Sequence, residues 1–344
     1  MSALRIAING FGRIGRNLLR AYLSHAQQFA DVQIVAINDV ADSEVLLHLF
    51  KFDSTHGRLD KLGVSASIDA DDLCLSTSDG QKRIVMLHQA NPSSLPWKEL
   101  GVDLVLECTG KFRSYQDASL HLAAGAKQVI IGAAPFDEVD ASVVVGVNDE
   151  ILSRKLPIIS GVSCTTQALV PLLSLLDEKY GIDCAMMTEI HALTADQSVL
   201  DQAHRDLRRA RAGSHNIIPT TSSSINATER VLPQMKGKIN GYSIRVPTIN
   251  VAAIDLAISF INQPSLVQLQ DTLKSASYGK LAGVMGYTDE PLVSSDFIGD
   301  ARSLIIDGQQ TMQSGSLFKV YAWYDNEWGY ANRLLDMCQI LAGR

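Results

Sequence analysis

The sequence predicts an α/β protein in two parts, a parallel sheet wrapped by helices and then an α+β part on a mostly antiparallel sheet. Three observations predict it. Through residues 1–160, short and near-continuously apolar runs alternate with stretches of helical spacing, as parallel strands covered on both faces do. Beyond residue 180 the strand-like runs lengthen and follow one another with a single helical stretch among them, which reads as α+β. With 344 residues, 46% of them hydrophobic, the chain can bury two ordinary cores.

The elements follow in order. "LRIAIN" at 4–9, "VQIVAIN" at 32–38, "VDLVLE" at 102–107, "KQVIIG" at 127–132 and "SVVVG" at 142–146 are the strands of the first part. Residues 13–24 and 115–125 are its helices, and the more alternating 59–90 supplies antiparallel edge strands. The second part has strands at 183–193, 242–246, 252–260 and 318–324 and a helix at 264–277. The final helical stretch, "EWGYANRLLDMCQILAG", is expected to return to the first domain. The expected division is 1–162 plus 327–344 against 163–326. No internal repeat appears, which sets a solenoid aside.

Composition narrows the function. Thirty Lys and Arg against 37 Asp and Glu leave a net charge of −7, so neither nucleic acid nor an acidic membrane surface is expected as a partner. No apolar run nears the ~18 residues of a membrane span, and the chain enters its first strand without a signal-peptide pattern. Five cysteines, widely spaced and without a C-x-x-C pair, do not make a disulfide framework or a metal site. A reduced, cytoplasmic protein is expected.

Asn9-Gly10-Phe11-Gly12-Arg13-Ile14-Gly15-Arg16 follows the first strand and opens a helix. This is G-x-G-x-x-G in its proper context. Gly10 permits the tight turn, Gly12 admits a pyrophosphate to the backbone, and Gly15 lets the helix pack close. "VQIVAIND" ends the second strand at Asp39, where a carboxylate bonds the ribose hydroxyls and repels a 2′-phosphate. The first part is therefore a Rossmann-type domain for NAD rather than NADP.

Cys164, in "GVSCTTQALV", precedes a run with helical spacing at Ala168, Leu169, Leu172, Leu173 and Leu176. Composition alone fits a small core residue, as it does for the other four cysteines. The helix start fits a nucleophile instead, because its amides and dipole stabilise a thiolate and an oxyanion. His191 stands where the strand-like "CAMMTEI" gives way to the polar "HALTADQ", a strand end that can face a cleft. Spacing does not decide whether it is a base or a boundary residue.

"INGFGRIGR", "DSTHG", "SCTT", "IIPTT", "RVPT" and "WYDNEWGYANR", in this order, resemble the phosphorying glyceraldehyde-3-phosphate dehydrogenase superfamily over essentially the whole chain. The resemblance implies that Cys164 attacks an aldehyde to give a thiohemiacetal and that His191 is its base. It implies oxidation by NAD to a thioester, released by phosphate or water. It places Arg13, Ile14, Asp39, Thr109, Gly110, Asn326 and Tyr330 beside the cofactor, with the three glycines. It assigns Ser163, Thr165, Thr194, Arg211, Ser222, Ser223 and Arg245 to the phosphorylated aldehyde and inorganic phosphate, guanidinium being suited to phosphate by its planar donors. It also implies a homotetramer.

The pattern departs from the family at several points. Gln167 replaces an asparagine, Asp196 replaces a hydroxyl donor and would repel an anion if ionised, and Ser223 replaces a glycine. "DQSVLDQAHRDLRRARA" and "PLVSSDF" lean to the sister family of erythrose-4-phosphate dehydrogenases, in which water takes the acyl group. "RVLPQMKGKINGYSIRVPT" leans to the glycolytic enzyme, which is the favoured reading. A silent NAD-binding regulator is disfavoured because Cys164 and His191 are both present.

Overall fold

The computed structural model describes residues 3–343. The chain forms two compact units, the first from Met1–Val143, Asp149–Val162 and Ala331–Arg344, the second from Val144–Asn148 and Ser163–Tyr330.

The first unit is built on a nine-stranded sheet. From one edge the order is Ala141–Ser142, Ile158–Ser160, Gln128–Ile131, Leu104–Glu107, Leu4–Asn9, Val32–Asn38 and Gly80–Leu87, all paired in parallel. Asp72–Thr77 and Ser65–Asp69 extend it antiparallel. Consecutive residues of a strand point to opposite faces. Leu104–Glu107 is buried at every position, so both faces of the sheet centre are covered, which is why these strands read as unbroken apolar runs. Trp97, Val105, Ala118, Val129 and Ile158 belong to one buried cluster of this unit.

The expected strand at 142–146 is not formed. Pairing stops at Ser142, and Val144–Asn148 turns away into the second unit. The turn is closed locally: the Val144 amide donates to Asn148 Oδ1 at 2.8 Å and the Val147 amide to the Val144 carbonyl at 3.1 Å. Gly146 takes the left-handed φ of +82° the turn needs. The apolar run mimics a strand because its valines are buried in the turn.

The second unit has a seven-stranded mixed sheet in the order Ile218–Thr220, Ile239–Val246, Ile182–Ala192, Ala252–Phe260, Leu317–Tyr324, Leu304–Ser314 and Met285–Thr288. Two of its pairings are parallel, Ile182–Ala192 with Ile239–Val246 and Met285–Thr288 with Leu304–Ser314; the rest are antiparallel. The Cys164–Tyr180 helix packs on it through Leu169, Leu172, Leu173 and Leu176, all fully buried. Pro171 falls in its third turn, where the missing N–H is absorbed within a helix that runs on to Tyr180.

Candidate active site

In the first unit the glycine turn is a contact of backbone on backbone. A Cβ on Gly10, whose φ is +96°, would lie 2.6 Å from the Thr109 amide nitrogen, and one on Gly15 would lie 2.1 Å from the Gly10 carbonyl oxygen. Gly12 differs. It caps the Arg13–Ser24 helix without a side chain, and a Cβ there would meet nothing within 4 Å. That open space in front of the first helical amides fits a pyrophosphate. It opens into a cleft of about 200 Å³ lined by Gly10, Gly12, Asp39, Gln89, Thr109 and Phe112.

Asp39 is held at the strand end by the Phe11 amide at 2.8 Å and the Ala41 amide at 3.0 Å, which ties the carboxylate to the turn and fits a ribose. Arg13 donates to the Asp53 carboxylate, and Ile14 is partly exposed one residue on. Gly110 has φ +70°. Thr109 donates through its amide (2.8 Å) and its hydroxyl to Glu107 Oε1. Buried Glu107 takes two further donors on Oε2, Asn9 Nδ2 and His121 Nε2. The Trp97 indole donates to His121 Nδ1 at 3.0 Å, so the His121 proton sits on Nε2.

In the second unit, Ser163 caps the Cys164–Tyr180 helix, its hydroxyl accepting from the Thr166 amide at 3.1 Å. Just before it, Val162 takes φ +51°, a left-handed conformation that costs a β-branched residue about 1–3 kcal/mol. The helix therefore begins at Cys164 with its first turn locked. Cys164 Sγ lies 3.6 Å from His191 Nε2. His191 Nδ1 is 2.7 Å from the Ala192 carbonyl, which can only accept, so Nδ1 carries the proton and Nε2 presents its lone pair to the thiol.

Burial favours the neutral form of both groups. Although part of Cys164 reaches solvent, loss of hydration and then the Glu189 carboxylate push its thiol up to about 12, against the pull of the Thr165 hydroxyl and amide. Burial and then the Arg245 guanidinium bring the His191 imidazole down to about 4. The helix start alone predicts a stabilised thiolate; burial outweighs it here.

The "YDNEW" turn is organised by Asp325. Its Oδ1 accepts from the amides of Glu327 (2.9 Å) and Trp328 (2.8 Å), and its Oδ2 from Asn250 Nδ2 (2.9 Å) and the Gly299 amide (2.8 Å). This fixes Asn326, whose Oδ1 is buried with no hydrogen-bond partner among the described residues, as an amide awaiting a ligand donor would be. Tyr330 is buried in the following helix.

Of the residues expected to bind anions, Ser163 and Ser222 are brought together. Ser222 Oγ bonds Ser224 Oγ at 3.1 Å, and Ser224 Oγ approaches Ser163 Oγ at 3.4 Å, so a hydroxyl cluster stands beside the nucleophile's helix. Ser223 is exposed at the cap of the next helix and makes no side-chain cap bond. Arg245 pairs with His191 across the sheet, and its Nε is buried without an acceptor. Thr194 donates amide and hydroxyl to Gln197 Oε1, both at 3.0 Å. Arg211 is not brought to any of these: it pairs with Asp201 at 3.1 Å, both side chains 62% exposed.

Arg209 is brought in instead. It donates to Thr220 Oγ1 at 2.7 Å, to the Thr221 carbonyl at 3.2 Å and to the Asp196 carboxylate, which His204 also approaches at 3.4 Å. Asp196 is thus paired rather than a free negative charge. Sequence reasoning missed Arg209, Ser224, Glu189 and Tyr324. Only Glu189 carried a signal, two residues before His191 on one strand face. Thr165 joins the last two: its hydroxyl donates to Glu189 Oε1 at 2.8 Å and lies 2.8 Å from Tyr324 OH. Among the described residues no three His, Cys, Asp or Glu side chains gather as metal ligands, and no helix is long and apolar enough to cross a membrane.

Comparison with known proteins accounts for both halves. Residues 4–115 match the family described as glyceraldehyde 3-phosphate dehydrogenase, NAD binding domain, and residues 163–326 match its C-terminal domain. The glyceraldehyde-3-phosphate dehydrogenase of Geobacillus stearothermophilus is 43% identical over 344 residues, 99% of each chain. Glyceraldehyde-3-phosphate dehydrogenase 1 of Bacillus subtilis is 44% identical over 342 residues, 99% of this chain and 98% of its own. Glyceraldehyde-3-phosphate dehydrogenase 2 of Streptomyces avermitilis is 46% identical over 336 residues, 97% of each. Matched from end to end, with a glycine turn shaped for NAD and a thiol facing an imidazole lone pair, the chain belongs to the glyceraldehyde 3-phosphate dehydrogenase family of NAD-dependent oxidoreductases.

Proposed function

We propose that the protein oxidises glyceraldehyde 3-phosphate to an acyl phosphate, with inorganic phosphate as acyl acceptor and Cys164 as the nucleophile. The observation that carries this is the 3.6 Å approach of Cys164 Sγ to the unprotonated Nε2 of His191. Sγ adds to the aldehyde carbon as its proton passes to Nε2. The Cys164 amide, the first of its helix, has no acceptor among the described residues and suits the oxyanion. His191 Nε2–H returns that proton to the oxyanion, which makes the thiohemiacetal hydroxyl, and the freed Nε2 takes it back as the carbon is oxidised. NAD, when bound, supplies the two-electron acceptor. In the first unit the glycine turn and Asp39 hold it, with Ile14, Thr109 and Gly110; in the second unit Asn326 and Tyr330 are the residues the resemblance assigns to it.

Arg245, with its free Nε, and Thr194 hold the substrate's phosphate. Arg209 and the hydroxyls of Ser163, Ser222 and Ser223 receive the attacking phosphate, with Arg209 taking the part first expected of Arg211; the Thr165 hydroxyl, whose proton goes to Glu189, is left out of that set. Pairing of Asp196 with Arg209 supports phosphate over water as the acceptor, since the paired carboxylate repels an anion less. The first unit is the NAD domain and the second the catalytic one, in a cytoplasmic homotetramer. Val199, Leu200 and Leu207, 75–83% exposed, support burial of that loop against other copies.

The test is NADH formation by the purified protein with glyceraldehyde 3-phosphate and with erythrose 4-phosphate, each with and without phosphate. Phosphate-dependent turnover of the first is expected. Turnover of the second that ignores phosphate would replace the reading with water as acceptor.

A further inference from the structure

Glu189 stands two residues before His191 on the Ile182–Ala192 strand, so the two side chains leave the sheet on one face. Each is 2% exposed. Glu189 Oε1 lies 3.9 Å from His191 Nε2 and accepts the Thr165 hydroxyl at 2.8 Å. That hydroxyl has one proton and gives it to Glu189, so the 2.8 Å contact with Tyr324 OH carries the tyrosine's proton. The bonds run from Tyr324 to Thr165 to Glu189, a direction that ends on an acceptor. No Lys or Arg pairs with Glu189 among the described residues.

A buried carboxylate with one neutral donor and no cation is costly. Packing does not require it, since Thr165 and Tyr324 can bond each other without it. We propose that Glu189 is a positioning residue for the thiol–imidazole couple, its carboxylate holding the proton on His191 Nε2 after Cys164 has released it. The inference rests on the Cys164–His191 reading above.

The sequence of charges explains the need. The S–H bond breaks and Nε2–H forms, while the sulfur's electron pair makes the C–S bond and the carbonyl π pair moves to the oxygen, whose charge faces the Cys164 amide. The imidazolium then keeps Glu189 as its carboxylate partner on that side. The other groups facing His191 are Cys164 from the helix, Tyr324 from the Leu317–Tyr324 strand, Arg245 from the adjacent strand and Glu327 beyond the sheet end. Arg245 opposes a proton on His191, while Glu189 and Glu327 favour it. Glu189 also disfavours the thiolate. Its charge therefore raises both titrations of the couple, whichever group holds the shared proton.

The experiment is alkylation of Cys164 by iodoacetamide against pH, followed on its peptide by mass spectrometry, so that no substrate or cofactor is involved. Glu189→Gln keeps an acceptor for Thr165 and removes the charge. Both limbs of its profile are expected to move to lower pH by at least about half a unit, a shift that a merely structural role would not produce. Limbs that stay at their wild-type positions in folded Glu189→Gln overturn the proposal and leave the couple standing. A wild-type profile that His191→Asn does not alter overturns the couple itself. If circular dichroism finds Glu189→Gln unfolded, Glu189→Asp, with the charge drawn back by one methylene, is expected to show a smaller shift of the same sign. Unmoved limbs there overturn the proposal as well.

Discussion

Gly12 and Gly15 lie three residues apart, yet the structure gives them separable tasks, and alanine at each tells the tasks apart. At Gly15 a Cβ would sit 2.1 Å from the Gly10 carbonyl oxygen and 3.2 Å from Ile8 Cγ2. Reaching an ordinary contact means parting helix and turn by about 1 Å, and overpacking of that kind costs about 1–3 kcal/mol. At Gly12 the same methyl meets no protein atom within 4 Å, and φ is −71°. Alanine is a poorer cap than glycine by about 0.5–1 kcal/mol, but it restricts the unfolded chain by about 0.4–1 kcal/mol, so stability should stay within about 0.5 kcal/mol of wild type. The methyl instead occupies the space proposed for the pyrophosphate. Displacing charge-assisted amide contacts worth about 1.5–3 kcal/mol weakens NAD binding about 10- to 100-fold. Urea unfolding and calorimetric NAD titration on both variants give the four numbers. A Gly12→Ala protein that binds NAD as tightly as wild type would refute the placement of the pyrophosphate. A Gly15→Ala protein of wild-type stability would refute the close approach.

His191→Asn should lower kcat by about 10²–10⁴ with NAD affinity unchanged; a loss under tenfold in steady-state turnover would remove His191 as the base. Arg209→Ala should raise the KM for phosphate about tenfold or more, while Arg211→Ala, losing an exposed pair with Asp201, stays within about twofold; the reverse order would restore Arg211 as the anion residue. Burial raises the Asp53 carboxyl, but the His56 amide, Arg13 and the Thr55 amide prevail and hold it at about 2. Its contribution is therefore complete above the unfolded value and is lost as pH falls through about 2. With Arg13 a third exposed, that is about 1–2 kcal/mol. Asp53→Asn should lose that amount at pH 7 in denaturant unfolding, with the gap to wild type closing between about pH 4 and pH 2. A gap independent of pH would show that the charge is not the cause.

What the sequence made legible was local. The glycine turn is specified within seven residues as a motif, although only Gly15 answers a contact on its own turn and strand, while Gly10 answers the Thr109 backbone from far along the chain and Gly12 leaves space for a ligand. The helix behind Cys164 was equally plain, since Ser163 and the leucine spacing both lie on the chain beside it. The choice between Arg209 and Arg211 was not legible. Both sit in a loop without regular structure, and the choice depends on Thr220, Thr221 and Asp196, which reach Arg209 from elsewhere in the chain. The sign of the Cys164 shift was also hidden. A helix start is visible in sequence, but the burial and the Glu189 charge that outweigh it are properties of packing. Residues 142–146 misled for the same reason, since buried valines in a turn and in a strand are the same letters.

The couple and the paired Asp196 bear on one question raised by the proposed function: how a site could favour phosphate as acceptor without wasting its nucleophile. A standing thiolate would meet alkylating agents and oxidants between turnovers. Burial pushes the thiol up and the imidazole down, which favours thiol and neutral imidazole between turnovers and lets the proton cross to His191 as the sulfur adds to the aldehyde carbon. An acyl group on that sulfur then leaves His191 free to orient an acceptor. Water is everywhere, so phosphate must be gathered to compete with it. Arg209 cannot gather it as a lone cation while bound to Asp196; the pair offers a guanidinium already aligned by Thr220, with less entropy left to lose. Asp196 on this argument lowers the attraction but sharpens the geometry, and Asp196→Asn should tighten phosphate binding while lowering the rate at saturating phosphate. If both quantities moved the same way, charge alone, and not alignment, would be what Asp196 contributes.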